Sequence, residues 1–354
     1  MRKTQMALAA VALVASTAAM AEVSLYGTTD VNVVNTTNGT SIGGAGNSAG
    51  SILGFKGSED LGGGLRASFL LETGYSAATG TLANAGTIGQ NAGNALFNRQ
   101  AYLGLGNENV ELKVGYQVSP FITGALTGVG GLGGNGVFVP ALTRLFGNLA
   151  GVNGENNGSI AGGNLSGVKS GGFFVPDAVN LTVNGGGATI NVMNRVKSVG
   201  DGYLAGSLTT SMGGVNLAVA GQQISGASDS ITNVVVGGNT NIGDVTVHGA
   251  WANSSSVTGS ALGVSGNGYT LGANMPVAGA LSAGVQYVKA TNTANGNQTS
   301  LSLKYTLSKA TYGYLNYSQF EKASGGILMA NDGGNFTAGQ TTKRLIAVGV
   351  AHSF

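Results

Sequence analysis

Residues 344–354 read R-L-I-A-V-G-V-A-H-S-F. Counting back from Phe354 in steps of two gives His352, Val350, Val348 and Ile346 on one face, with Ser353, Ala351, Gly349, Ala347 and Leu345 on the other. One face is large and apolar and the other mostly small. That two-residue period fits a strand with lipid on one side and a confined interior on the other, ending in an aromatic ring at the membrane interface. Such a strand needs a partner, and the other end of the chain supplies one: E-V-S-L-Y-G-T-T-D-V-N-V-V, residues 22–34. Here Val23, Leu25, Val31 and Val33 share a face opposite Ser24, Tyr26, Thr28, Asp30 and Asn32. Matching strands at the two ends predict a sheet closed on itself.

The residues before Glu22 have a different character. M-R-K-T-Q, an apolar run from Met6 to Val14, and small residues ending Ala19-Met20-Ala21 match the basic, apolar and cleavage regions of a signal peptide over 1–21. The apolar run is shorter than the ~20 residues a membrane helix needs. Without Arg2 and Lys3, the fourteen remaining basic residues balance fourteen acidic ones, so no basic face for nucleic acid is implied. An exported chain with no cysteine forgoes disulfide staples, which a large closed sheet does not need. Glycine is abundant, at 64 of 354 residues, but follows no collagen-like period.

From Ser51 the chain reads S-I-L-G-F-K-G-S-E-D-L-G-G-G-L-R-A-S-F-L-L-E-T-G. Leu53 and Phe55 alternate with Gly54 and Lys56. After a glycine-rich turn, Leu65, Ala67, Phe69 and Leu71 alternate with Arg66, Ser68, Leu70 and Glu72, which predicts a hairpin. A charge on the lipid face costs ~2–4 kcal/mol at the bilayer midplane, so Arg66 and Glu72 must face inward. The strand at 110–118 places Val110, Leu112, Val114 and Tyr116 opposite Glu111, Lys113, Gly115 and Gln117. Residues 119–176 break the alternation with Pro120, Pro140 and Pro176 and long Gly/Asn tracts, which argues against a central strand there. Beyond them, eleven further strands are predicted near 177–184, 187–197, 201–211, 214–224, 230–238, 244–253, 267–275, 280–290, 299–307, 311–320 and 341–354. With five before the long segment, this gives an all-β, 16-stranded antiparallel transmembrane β-barrel in a single unit, 22–354. Short turns at 184–187, 212–214 and 276–279 alternate with long Ser/Asn/Gly connections, so the two rims differ.

Several blocks together carry a resemblance: L-Y-G-x-x-D in the first strand, L-G-F-K-G-S-E-D-L-G-G-G-L in the hairpin, R-Q-A-Y-L-G-L at 99–105 and the A-V-G-V-A-H-S-F ending. They resemble the trimeric general porins of Gram-negative outer membranes, of the neisserial and betaproteobacterial type. The resemblance implies a passive channel for small solutes and ions in the cell outer membrane, assembled as a homotrimer. Outer-membrane lipid, lipopolysaccharide and the barrel-insertion machinery, which reads a terminal Phe354, are the implied partners. It also implies that 119–176 is the third external loop, folded inward as a constriction, with Arg99 and Lys56 as wall cations facing it. Two wall arginines of the family fall here on Ile52 and Asn180, and the loop lacks the P-E-F-G acids, offering Arg144, Glu155 and Lys169.

The expected pore-lining set is therefore Lys56, Arg66, Arg99, Lys113, Arg144, Tyr26, Asp30 and Glu72, with a weak transverse field and a slight anion preference. An alternative reading is a monomeric barrel acting as an adhesin or receptor. His248 and His352 both lie inside strand patterns, and no acidic cluster has metal spacing. No enzyme, cofactor or metal is expected.

Overall fold

In the computed structural model, the described residues are 22–37, 39–43, 48–82, 96–128, 174–196, 202–225, 230–256, 266–290, 296–322 and 342–354. The signal peptide expected over 1–21, Arg144 and most of the long loop lie outside them. The strands are β1 (Glu22–Thr36), β2 (Gly39–Gly43), β3 (Ile52–Gly62), β4 (Leu65–Gly74), β5 (Gln100–Gly106), β6 (Val110–Val118), β7 (Phe174–Gly185), β8 (Ala188–Arg195) and β9 (Gly202–Met212). They continue as β10 (Val215–Ser225), β11 (Ser230–Ile242), β12 (Val245–Ser256), β13 (Gly266–Ala278), β14 (Leu281–Ala290), β15 (Gly296–Thr306), β16 (Thr311–Lys322) and β17 (Thr342–Ser353). A single described helix, α1 (Pro120–Gly128), follows β6.

All seventeen segments belong to one antiparallel sheet. They occupy sixteen positions, because β2 pairs with Asn32–Thr36 of β1 while β3 pairs with Glu22–Thr28, so the two share one place in the wall. Closure comes from β1 against β17, in register from Thr28↔Ser353 to Thr36↔Leu345. Reciprocal backbone bonds of 3.0 Å between Gly27 and Phe354 extend that ladder to the last residue.

The predicted alternation sets which face is which. Val348 and Val350 are about half exposed on the outer face, while Ala347 and Ala351 are fully buried inside. A continuous outer band of exposed Val, Leu and Ile is stable against lipid and would be unfavourable against water. On one rim the connections are tight: Gly186–Gly187 and Gly213–Gly214 all have positive φ, from 58° to 80°, as two-residue hairpin turns require. The other rim carries the long connections.

Several strands run three or four residues past their expected ends, among them β11 to Ile242, β12 to Ser256 and β13 to Ala278. The last carries Pro276 of the expected 276–279 turn inside the ladder with a register shift. Two further differences stand out. The segment β2 was not anticipated, since it is only five residues long and precedes the hairpin that begins at Ile52. The other difference is at β7, which starts at Phe174 rather than Asp177 and includes Pro176. Proline has no N–H to give the ladder, and the sheet accommodates it with a bulge: pairing jumps from Gly115↔Ala178 to Gln117↔Val175, and Asp177 takes φ 54°.

The described start of the long segment, through Gly128, is a helix packed against the wall formed by β9, β10 and β11. Ser119 caps α1, its hydroxyl accepting the Phe121 N–H at 3.0 Å, and Pro120 occupies the first helical position, where no N–H is required. The Ser119 hydroxyl also bonds Tyr203 on the inner face of β9, and the Tyr203 hydroxyl donates to Gln222 of β10 at 2.9 Å. Phe121 and Ile122 join Met193, Ala205, Ala220, Ile224, Ile231 and Val235 in one apolar cluster on that wall. Gly124 allows the close approach: a Cβ there would sit 2.8 Å from that of Ala220 and 2.9 Å from that of Ser207. The remainder of the loop, 129–173, is outside the described residues.

Candidate functional site

The inner face of β1, β3 and β4 gathers four of the sequence-predicted residues. Tyr26 lies across the sheet from Gly54 and Gly54 from Glu72, and the Tyr26 ring occupies the space a Gly54 side chain would need. Its hydroxyl donates to Glu72 Oε2 at 2.7 Å. The other carboxylate oxygen of Glu72 takes the Arg99 Nε–H at 2.5 Å. Arg99 precedes β5 and is held at this level by its own backbone N–H, which bonds the Glu72 carbonyl at 3.2 Å. The guanidinium also stands over the Phe174 ring, 5.1 Å from its centre. Lys56, exposed on the same face, lies 5.3 Å from the centre of the Tyr26 ring.

The charge of Arg99 is therefore met by a carboxylate whose side chain is only 6% exposed. A close pair of this kind has little monopole field at the distance of a passing ion, whereas Lys56, resting on a ring, keeps its full charge.

A second cluster lies nearer the short-turn rim. Glu111 accepts the Ser68 hydroxyl at 2.7 Å, pairs with Lys113 at 3.2 Å and lies 4.0 Å from Arg66. Two cations share one carboxylate there, and Lys113 also sits 5.5 Å from the centre of the Tyr102 ring.

Asp30 faces inward but is enclosed. Its carboxylate accepts the Ala49 and Ser48 N–H groups at 2.9 and 3.3 Å and the Tyr314 hydroxyl at 2.6 Å. It pins residues 48–51 to the inner wall and has no surface exposed to solvent, though its partners are neutral donors that leave its charge uncancelled. Thus Tyr26, Lys56, Glu72 and Arg99 come together, Arg66 and Lys113 form a separate group, and Asp30 stands apart.

Two ion-paired charges on the inner face, Arg195 and Glu111, were not singled out as lining in the sequence. Arg195 at the end of β8 has a side chain 2% exposed and lies 3.8 Å from Asp177. Glu111 anchors the second cluster, and Lys304 of β15 lies 4.3 Å from the centre of the Tyr312 ring. The alternation could have found both ion-paired charges: Asn191, Met193 and Arg195 share a face, as do Glu111 and Lys113.

At the seam, the Phe354 ring packs over Gly27. A Cβ on Gly27 would fall 2.4 Å from that ring and 2.6 Å from the Ile52 carbonyl oxygen.

A family model described as Gram-negative porin matches residues 7–324. Outer membrane porin protein 32 of Delftia acidovorans is 28% identical over 384 aligned residues, covering all of both chains. Among solved structures, an anion-selective porin from Comamonas acidovorans superposes with a TM-score of 0.74 at 20% identity, covering 95% of this chain and 100% of that one. OmpT, an outer membrane protein of Vibrio cholerae, gives 0.63 at 12% identity, covering 94% and 98%. The closed sixteen-position barrel thus has its counterparts among outer-membrane proteins, and the chain belongs to the Gram-negative porin family.

Proposed function

We propose that this outer-membrane porin works as a homotrimeric diffusion channel for small hydrophilic solutes, with a slight preference for anions. The observation that carries the reading is the pairing of charges on the inner wall. Arg99 is met by Glu72 and Arg195 faces Asp177, while two cations share Glu111 and Lys56 has no carboxylate within 4.0 Å among the described residues. Among these groups the balance is positive but small. Charges in a wet lumen are further screened over ~8 Å at physiological ionic strength. Asn180, where the family resemblance places a wall arginine, is an uncharged buried amide, which weakens the field again. A similar fold is found in a porin described as anion-selective, which agrees in sign.

Reversal potentials in planar bilayers under a potassium chloride gradient test this. The expected result is conductance in steps of three with a small chloride preference. Strong selectivity for either ion, or a silent membrane, would overturn it. In the same reading, Phe354 on its strand is the signal for the barrel-insertion machinery, and the outer band meets lipid and lipopolysaccharide. No observation among the described residues favours the adhesin or receptor alternative.

A further inference from the structure

If the channel prefers anions, the inner wall indicates which side chains produce that preference. The inferred site rests on the function just proposed and sharpens it. We infer that the anion-contact positions are the two lysines seated on tyrosine rings, Lys56 on Tyr26 and Lys304 on Tyr312, and that Glu72 is the residue that removes Arg99 from this role.

The two seats are built alike. Lys56 Nζ lies 5.3 Å from the Tyr26 ring centre and Lys304 Nζ lies 4.3 Å from that of Tyr312, within the range of a cation–π contact. Each ring is fixed at its hydroxyl, Tyr26 by Glu72 at 2.7 Å and Tyr312 by Ser48 at 3.0 Å. Gly54 further lets Tyr26 lie flat on the wall. A fixed ring orients the ammonium without cancelling its charge, unlike a carboxylate. Among the described residues neither lysine has an acidic group within 4.0 Å.

The strand pairings place the two lysines on one panel of the wall. Lys304 of β15 lies across from Tyr314 of β16, β16 pairs with β17, β17 with β1, and Ser24 of β1 lies across from Lys56 of β3. Tyrosines 26, 312 and 314 stand between them; of the acids on the inner face of these strands, Asp30 is enclosed by Ala49, Ser48 and Tyr314, while Glu22 and Asp60 lie beyond Lys56 toward the short-turn rim. A small monovalent anion moving along this panel meets two ammonium groups, neither with an acid within 4.0 Å among the described residues. The ligand class is thus a small anion held by charge, with no bidentate guanidinium clamp.

Magnitude follows from Coulomb attraction in water. One unit charge ~8 Å from the ion path, screened over one Debye length, raises the local anion level and lowers the cation level by ~1.4-fold each. Each lysine should then contribute about a twofold change in the chloride-to-potassium permeability ratio.

The test is the reversal potential of the full-length channel in planar bilayers, in wild type and in K56Q, K304Q, K304R and E72Q. K56Q and K304Q should each lower the ratio about twofold, K304R should keep it, and E72Q should raise it by uncovering Arg99. Should K304Q yield no channels, Lys304→Cys in this cysteine-free chain can be modified in the open pore with a sulfonate-bearing thiosulfonate, which should move the ratio toward potassium. Unchanged ratios in K56Q and K304Q at normal conductance would overturn the inference while leaving the channel function standing. A wild-type ratio of one would instead overturn the proposed anion preference.

Discussion

Gly54→Ala is a one-methyl change that should disturb a whole cluster. The added carbon would lie 2.4 Å from Tyr26 Cζ and 2.6 Å from both its Cε1 and hydroxyl oxygen, distances that no ring can tolerate. Gly54 sits mid-strand between Tyr26 and Glu72, so the backbone is held by ladders on both sides and the ring must be the part that moves. Moving it breaks the 2.7 Å bond to Glu72, and a hydrogen bond to a charged group is worth ~1.5–3 kcal/mol. Overpacking alone costs ~1–3 kcal/mol. The two are alternative routes of relief for one clash, so the expected loss is ~2–3 kcal/mol.

Urea unfolding of the barrel in lipid, followed through the single Trp251 on the outer face, reads this directly. Tyr26→Phe should lose only the hydrogen-bond part. In a Tyr26→Ala background, Gly54→Ala should cost almost nothing, because contacting residues couple in a double-mutant cycle. A full cost that persists in that background would show that the methyl clashes with something other than the Tyr26 ring, and the account of the cluster would fall.

Cysteines at Lys113, Arg66 and Lys304 should react with impermeant thiol reagents through the pore; labelling of Val348→Cys in preference to Lys113→Cys in intact membranes would overturn the strand register. Deleting Phe354 should leave processed chain in the periplasm, and Gly27→Val, which pushes a side chain into the Phe354 ring and the Ile52 carbonyl, should lower folded yield in the same direction; normal surface levels of both would remove the seam from assembly. Ser119→Ala removes the helix cap and its bond to Tyr203, and should cost ~0.5–2 kcal/mol in the same urea assay; no change would mean α1 is held by Phe121 and Ile122 alone.

Much of this protein was legible in its linear pattern. Because side chains on a strand alternate strictly, Val348 and Val350 had to oppose Ala347 and Ala351, and a lipid-facing charge is costly enough to send Lys56, Glu72 and Lys113 inward. The same rule fixed the strand count and both ends of the seam. What alternation cannot convey is which inward side chains meet. Glu72 and Arg99 are 27 residues apart, Tyr26 and Glu72 are 46 apart, and Asp30 and Tyr314 are 284 apart. Only the register of neighbouring strands decides that Arg99 is neutralised, that Asp30 is enclosed by residues 48–49, and that Lys304 rests on a ring. Likewise Ser119-Pro120 reads as a break in a strand pattern, and becomes a helix start because the inner wall of β9 and β10 offers Tyr203 and a space beside Ala220. The periodicity determines the barrel, whereas the charge that an ion meets inside it depends on pairings that close only when distant strands are brought side by side.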